Sequence, residues 1–338
     1  SKISGQVYVD DSYFDRDFYS NGRQNRRVDR AYDAPVSALS FNWNSISVYV
    51  RPGKKPGDRA KVFVDPPSSY IEVENSAKTF AAGKKSKIRV SRVSQPRGEK
   101  IIVTGAISIG EEEQDFYKSV TRPSLWTGHN FKYFLNQAGI QYLGTIKKKK
   151  TPSTARMLVE YKSWELQRVV AAMAKYSNNY VAEMLTKHLG KNGKGPASID
   201  GGLRKIVDYL KGQGWSNKEF VFTNPSGFNR TNRMRPDRLG NLLYESRHTF
   251  QLAPEFLSSL PVSAIDGTLK DRMRYAMRGK VRAKTGYLSG VVGLAGYMMA
   301  PKGPPLTFVL MYNGPYKHDW EVRALFDRIL LKISESIN

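Results

Sequence analysis

Gly279-Lys280-Val281-Arg282-Ala283-Lys284-Thr285-Gly286, with the apolar run Val291 to Ala300 behind it, is the stretch whose reading decides the fold. It reads as a strand, a turn at Tyr287 to Gly290 and a second strand, because β-favouring residues flank a segment bracketed by Gly286 and Gly290. Lys284, Thr285 and Gly286 place a cation, a hydroxyl and a residue without a side chain near a strand end. Such an edge can pair with an extended ligand, admit it closely at Gly and hold a carboxylate through Thr and Lys. Three residues alone read more readily as a lysine-bearing hairpin than as a binding edge.

Downstream, Leu306 to Tyr312 supplies a third strand, and His318 to Ser336 an amphipathic helix with Trp320, Val322, Leu325, Phe326, Ile329, Leu330 and Ile333 on one side. Upstream, Phe256 to Leu260 is a short helix, Pro236 starts another, and Phe220 to Phe222 is a short strand. Ser198 caps a helix carrying Leu203, Ile206, Val207 and Leu210. Ser163 is expected to cap a helix that stops near Tyr176, and Asn179 to Leu189 forms the next. Residues 1–115 instead alternate in short runs punctuated by Gly and Pro, as in Ser45 to Val50 and Lys87 to Val90. They read as one antiparallel β domain, with polar loops at Asp10 to Arg30 and Ser91 to Lys100. Leu143 to Lys150 is expected to be a strand running into a lysine loop. The expected division is therefore a β-rich domain over 1–115 and a domain of mixed helices and strands over 116–338.

The 338 residues, 40% hydrophobic and 12% aromatic, suit a folded chain with a sizeable core. No apolar run approaches the roughly 20 residues of a membrane span. The absence of cysteine excludes disulfides, thiolate nucleophiles and Cys-ligated zinc. His129, His188, His248 and His318 are scattered, none at metal-ligand spacing, and no Gly-x-Ser-x-Gly elbow occurs. A net charge of +24 attracts polyanions, but no nucleic-acid-binding signature accompanies it. Glu111-Glu112-Glu113 reads as a solvated loop cluster, with nothing apolar around it to raise a pKa.

Ser177-x-Asn179, between two helices, is the second chemical element. A helix-helix turn can push a hydroxyl and an amide together into a cleft, where Ser relays a proton and Asn orients a lysine or a substrate amide. Taken alone, the pair reads more readily as a helix cap, because both residue types favour such turns.

Ser-x-Asn followed about a hundred residues later by Lys-Thr-Gly resembles the motif pair of penicillin-binding proteins and serine β-lactamases. The likeness is longer than the motifs. Lys175 to Met184 is similar to the second-motif segment of the class C low-molecular-weight penicillin-binding proteins, the D-alanyl-D-alanine carboxypeptidase/endopeptidase (peptidase S13) family. Leu260 to Leu269, Gly279 to Gly296, Pro225 to Arg230 and Gly5 to Phe14 resemble further segments of that family. The resemblance implies an α+β penicillin-recognising catalytic domain, with an antiparallel sheet and helices, plus a β-rich accessory domain. It implies a periplasmic serine enzyme acting on peptidoglycan stem peptides and acylated by β-lactams, with no metal or cofactor. By the same resemblance Ser177 shuttles a proton and Asn179 holds the substrate amide. Lys284 supports Ser177, Thr285 binds the terminal carboxylate, the strand past Gly286 pairs with the peptide, and Asn42 and Arg230 contact a second stem.

One departure stands out. The family's nucleophile lies in a Ser-x-x-Lys motif, and no Ser in this sequence is followed by Lys three positions on. The family places that motif upstream of the strand matching Gly5 to Asp10. The opening at Ser1, without an initiator Met or signal peptide, leads us to expect the motif upstream of the chain as given. The alternative is a nucleophile-less protein of the same fold that binds stem peptides or envelope polyanions without catalysis.

Overall fold

Alternating β-branched residues build the first strands. In the computed structural model, residues 1–20, 29–193 and 195–337 are described; part of the expected Asp10 to Arg30 loop, residues 21–28, lies outside them. The chain divides into two compact units, Ser1–Leu158 with Lys187–Gly201, and Val159–Thr186 with the residues from Gly202 onward. The first unit thus runs well past residue 115, where sequence reading placed its end.

The strands of the first unit are β1 (Lys2–Ile3), β2 (Val7–Val9), β3 (Ser45–Arg51), β4 (Lys61–Asp65), β5 (Ile71–Asn75), β6 (Lys78–Phe80), β7 (Lys87–Gln95), β8 (Gly98–Ser108) and β9 (Gln114–Ser119). Helix α1 (Pro123–Gln137), β10 (Gln141–Tyr142) and β11 (Ile146–Lys148) follow. β3 sits between β4 and β9, antiparallel to both. β8 pairs antiparallel with β7 but parallel with β5 and β6, and β1–β10 and β2–β11 are also parallel pairs. The expected all-antiparallel domain is therefore a mixed one: period-2 alternation marks a strand but not its direction. The expected loop at Ser91 to Lys100 is a tight hairpin, in which Gln95 pairs with Gly98. Ile46, Val48, Val50, Ile101, Val103 and Trp126 form the core, and Trp126 brings α1 into it.

The second unit carries α2 (Leu166–Tyr176), the start of α3 (Asn179–Leu189), most of α4 (Ile199–Gly212), β12 (Phe220–Val221), β13 (Arg233–Met234), α5 (Pro236–His248) and α6 (Ala253–Ser259). Strands β14 (Val281–Leu288), β15 (Val291–Met298) and β16 (Leu306–Asn313) and helix α7 (Asp319–Ser336) complete it. Glu165, not Ser163, stands at the N-cap of α2, without a side-chain cap bond, so the apolar period and not a hydroxyl sets where that helix begins. Ser198 does cap α4, accepting from Gly201 N at 3.0 Å.

β14, β15 and β16 form an antiparallel sheet in that order. One face packs Val281, Ala283, Val292 and Leu294 against Val322, Phe326 and Leu330 of α7. Ala295, Tyr297 and Val309 of the same sheet pack with Leu243 of α5 and Phe256 of α6. The turn is shorter than expected: Leu288 pairs with Val291, so only Ser289 and Gly290 turn, and Lys284-Thr285-Gly286 lies mid-strand. Gly290 has φ +77°, and a Cβ there would stand 2.4 Å from Gly314 O. Its N–H donates to both carboxylate oxygens of buried Asp319 at 3.1 Å, which fixes the hairpin tip to the first residue of α7.

Candidate active site

The site is built where α2 ends. Lys175 Nζ donates to Asp266 Oδ2 and to Leu260 O, each at 2.7 Å, so the last turn of α2 is tied to the segment leading into β14. Asp266 is held in turn by Val262 N at 2.8 Å. Two residues beyond Lys175, Ser177 closes α2 in the left-handed region (φ 52°, ψ 47°), its N–H bonded to Met173 O. A non-glycine residue there costs about 1–2 kcal/mol, and such strain persists only where surrounding contacts over-determine it. Asn178 then caps α3, its Oδ1 accepting from Val181 N at 3.1 Å. Capping is done by the Ser177 backbone and the Asn178 side chain, and the Ser177 hydroxyl serves another contact.

That contact is Lys284, whose Nζ donates to Ser177 Oγ at 2.6 Å and to Thr285 O at 2.7 Å. Ser177 is exposed and Lys284 half-buried. Burial disfavours the ammonium and brings Lys284 from 10.5 down to about 8. Thr285 Oγ1 donates to Thr268 Oγ1 at 2.8 Å, so two hydroxyls stand together beside the lysine strand. Thr268 lies in a short turn, Gly267–Leu269, that presses on the end of α2: Gly267 has φ +56°, and a Cβ there would be 2.6 Å from Lys175 O.

The outer edge of β14 is half covered. Val281 O accepts from Ser263 N at 2.9 Å and Ala283 N donates to Pro261 O at 3.0 Å. Beyond Ala283 no strand pairs with this edge among the described residues. By antiparallel alternation the backbone groups of Thr285 and Tyr287 face outward there. Gly286 is exposed, and a Cβ on it would meet only Gly293 backbone at 3.9 Å, so that face of the strand is open.

Of the residues singled out from sequence, Ser177, Lys284, Thr285 and Gly286 come together, and Asn179 opens α3 two residues after Ser177. Arg230 is anchored elsewhere on the hairpin, its guanidinium donating to Ser289 O at the tip. Its loop rests on buried Asn224, which accepts from Phe228 N at 3.0 Å, and on Ser226, whose Oγ donates to Oε1 of buried Glu183 at 2.8 Å. Asn42 belongs to the first unit, where its amide donates to Ser45 O at 3.2 Å. Sequence reading assigned no role to Lys175, Asp266, Thr268 or Glu183. Their partners lie 91, 91, 17 and 43 residues away, beyond any local pattern.

Among the described residues no group of three or more His, Cys, Asp or Glu is placed to hold a metal ion, and no helix is long and apolar enough to cross a membrane. A hydroxyl bonded to an amine brought down to about 8 by burial can pass a proton. An ammonium and two hydroxyls can hold a carboxylate, and an open strand edge can pair with an extended peptide.

Comparison with known proteins identifies the family and the fold. The model of the D-Ala-D-Ala carboxypeptidase 3 (S13) family matches residues 1–329. A D-alanyl-D-alanine carboxypeptidase of Actinomadura sp. (strain R39) is 31% identical over 328 residues, covering 92% of this chain and 60% of that protein. The D-alanyl-D-alanine carboxypeptidase DacB of Haemophilus influenzae is 24% identical over 328 residues, 96% of this chain and 68% of its own. The chain therefore spans about two thirds or less of the length of these relatives. The crystal structure of penicillin binding protein 4 (dacB) from Haemophilus influenzae superposes with a TM-score of 0.76 at 22% identity, over 97% of this chain and 75% of that one. The fold is thus the α+β penicillin-binding type expected from the two motifs.

Proposed function

The chain belongs to the D-Ala-D-Ala carboxypeptidase 3 (S13) family, and on that premise we propose that it forms the proton-relay and carboxylate-binding side of a peptidoglycan D-alanyl-D-alanine carboxypeptidase and D,D-endopeptidase. The observation that carries the reading is the 2.6 Å bond between Lys284 Nζ and Ser177 Oγ, made by residues 107 apart in the chain. A Ser-x-x-Lys nucleophile, supplied from outside these residues, attacks the D-alanyl carbonyl, and the D-alanine amine leaves as an acyl-enzyme forms. Ser177 passes the proton to that amine, with Lys284 holding its hydroxyl in place. Asn179 binds the substrate amide and the nucleophile-segment lysine. Thr285, with Thr268 beside it, takes the terminal carboxylate, and the β14 edge from Thr285 to Tyr287 pairs with the stem peptide. Arg230, at the hairpin tip, reaches the second stem of a cross-link. Water resolves the acyl-enzyme, and β-lactams occupy the same route without ready release. We place the protein in the periplasm, where its +24 charge suits an anionic sacculus. The second unit is the transpeptidase-like domain and the first the accessory domain.

The test is covalent labelling of the full-length protein with a fluorescent penicillin, alongside release of D-alanine from a D-alanyl-D-alanine pentapeptide. Both are expected, and both fall by about 100-fold or more in Ser177→Ala and Lys284→Ala. Saturable binding of the pentapeptide without labelling or release supports the binding-only alternative instead. Labelling that survives Lys284→Ala unchanged removes the basis of the proposal.

A further inference from the structure

The first unit holds a cleft that the proposed chemistry does not use. Its volume is about 330 Å³, within the range of small-ligand sites, and it is walled by the entry to β3, the turn after β4 and helix α1. Three aromatic rings line it, Phe41, Tyr133 and Phe134, and three hydrogen-bonding side chains stand around them, Asn42, Asp65 and Gln137. The rings are mutually set: Phe41 meets Phe134 edge-on at 5.7 Å, and Tyr133 meets Phe134 at 5.4 Å. Gln137 donates to the Tyr133 hydroxyl at 2.6 Å.

The cleft is stiffly made. Asn42, Trp43 and Asn44 are left-handed in succession, with φ of 50°, 51° and 54°. Asparagine tolerates that region, but three such residues in a row, one of them tryptophan, need support. Fully buried Asn44 supplies it, donating to Pro35 O at 2.8 Å and Ser40 Oγ at 3.0 Å and accepting from Phe41 N at 3.3 Å. Trp126 Nε1 fixes the Phe41 carbonyl at 3.2 Å. The result holds Asn42 at the cleft rim and keeps Trp43 beside it 41% exposed.

Charge narrows the ligand. The chain carries 54 Lys and Arg against 30 Asp and Glu, yet the cleft lining has no cation and one carboxylate, Asp65, which has no ion-pair partner among the described residues. An anionic polymer would find no counter-charge there. Aromatic faces beside amide and carboxylate groups match a flat ring with one apolar face and a polar rim. We infer that this cleft binds an uncharged pyranose sugar unit of an oligosaccharide, its C–H face on Phe134 and its hydroxyl or acetamido groups on Asn42, Asp65 and Gln137. This site is independent of the Ser177–Lys284 reading.

The test titrates chitotetraose, an uncharged oligosaccharide, onto the full-length protein while following backbone amide resonances and the Trp43 indole N–H resonance. Saturable binding in the millimolar range or tighter is expected, with shifts confined to residues 41–43, 65 and 133–137. Phe134 is 42% exposed, so Phe134→Ala is expected to fold; it should weaken binding about tenfold while penicillin labelling stays unchanged. Gln137→Ala, also at an exposed position, should weaken it less. Absence of saturable binding at millimolar sugar, equal binding by Phe134→Ala, or tighter binding of a carboxylate-bearing hyaluronan tetramer would each overturn the inference. Loss of penicillin labelling with sugar binding intact would sink only the proposed enzyme function.

Discussion

Lys284→Arg replaces a cation that titrates near neutrality with one that stays charged at any working pH. Burial brings Lys284 from 10.5 to about 8. The charged fraction is then about nine-tenths at pH 7 and about one-tenth at pH 9, whereas an ordinary lysine would still be almost fully charged. If the charged form holds the Ser177 hydroxyl and draws the substrate carboxylate, the rate of penicillin acylation should fall about tenfold between those two pH values. In Lys284→Arg the rate at neutral pH should be lower, because a planar fork does not reproduce the two bonds that Nζ makes to Ser177 Oγ and Thr285 O. Its profile should nevertheless lack the alkaline limb. The same shift acts on stability. Below about pH 8 both folded and unfolded states carry the proton, and the folded state bears the desolvation cost. Between about 8 and 10.5 the unfolded chain binds the proton and the folded chain does not, so stability rises with pH. The rise is at most about 3 kcal/mol, at about 1.36 kcal/mol per unit, readable by denaturant unfolding across that window. A wild-type acylation rate that stays flat to pH 10, or an alkaline limb of equal size in Lys284→Arg, would refute the reasoning.

Further outcomes follow from the same geometry. Ser177→Gly should raise stability by about 1 kcal/mol, because glycine accepts the left-handed conformation without strain, while acylation is lost; thermal unfolding and penicillin labelling read the two effects separately. Asp266→Ala leaves half-buried Lys175 with only Leu260 O and should cost about 1–3 kcal/mol in thermal unfolding. Gly267→Ala forces a Cβ to 2.6 Å from Lys175 O at φ +56° and should cost about 1–3 kcal/mol; the displaced Thr268 should also weaken peptide binding more than it slows turnover. Asp319→Ala unties the Gly290 amide and should loosen the hairpin tip, seen as faster amide exchange at Ser289 to Val291 with the core of β15 still protected.

Much of the local structure was legible from residues alone. The period of Leu166, Val169, Val170 and Met173 marks α2, the Asn179 to Leu189 span is α3 end to end, and the glycine-bracketed hairpin lies where β14 and β15 lie. Direction and edges were less legible. β5 and β6 run parallel to β8, but a strand's pattern records only which face is buried. Ser163 looked like a cap, yet the helix takes its first turn two residues later without one.

The sequence by itself determined the chemistry available: a Ser-x-Asn turn, a Lys-Thr-Gly strand, no thiol, no histidines at metal-ligand spacing and a strongly basic chain. Those are properties of residue type and short spacing, which a linear chain displays directly. Only the tertiary structure decided that the Ser177 hydroxyl meets Lys284 instead of capping a helix. It also decided that Lys175 and Asp266 clamp the turn, and that Lys284 is buried enough to titrate near neutrality. Each of these depends on groups far apart in the chain sharing one small, poorly hydrated volume, and desolvation and hydrogen-bond geometry exist only once that volume is formed.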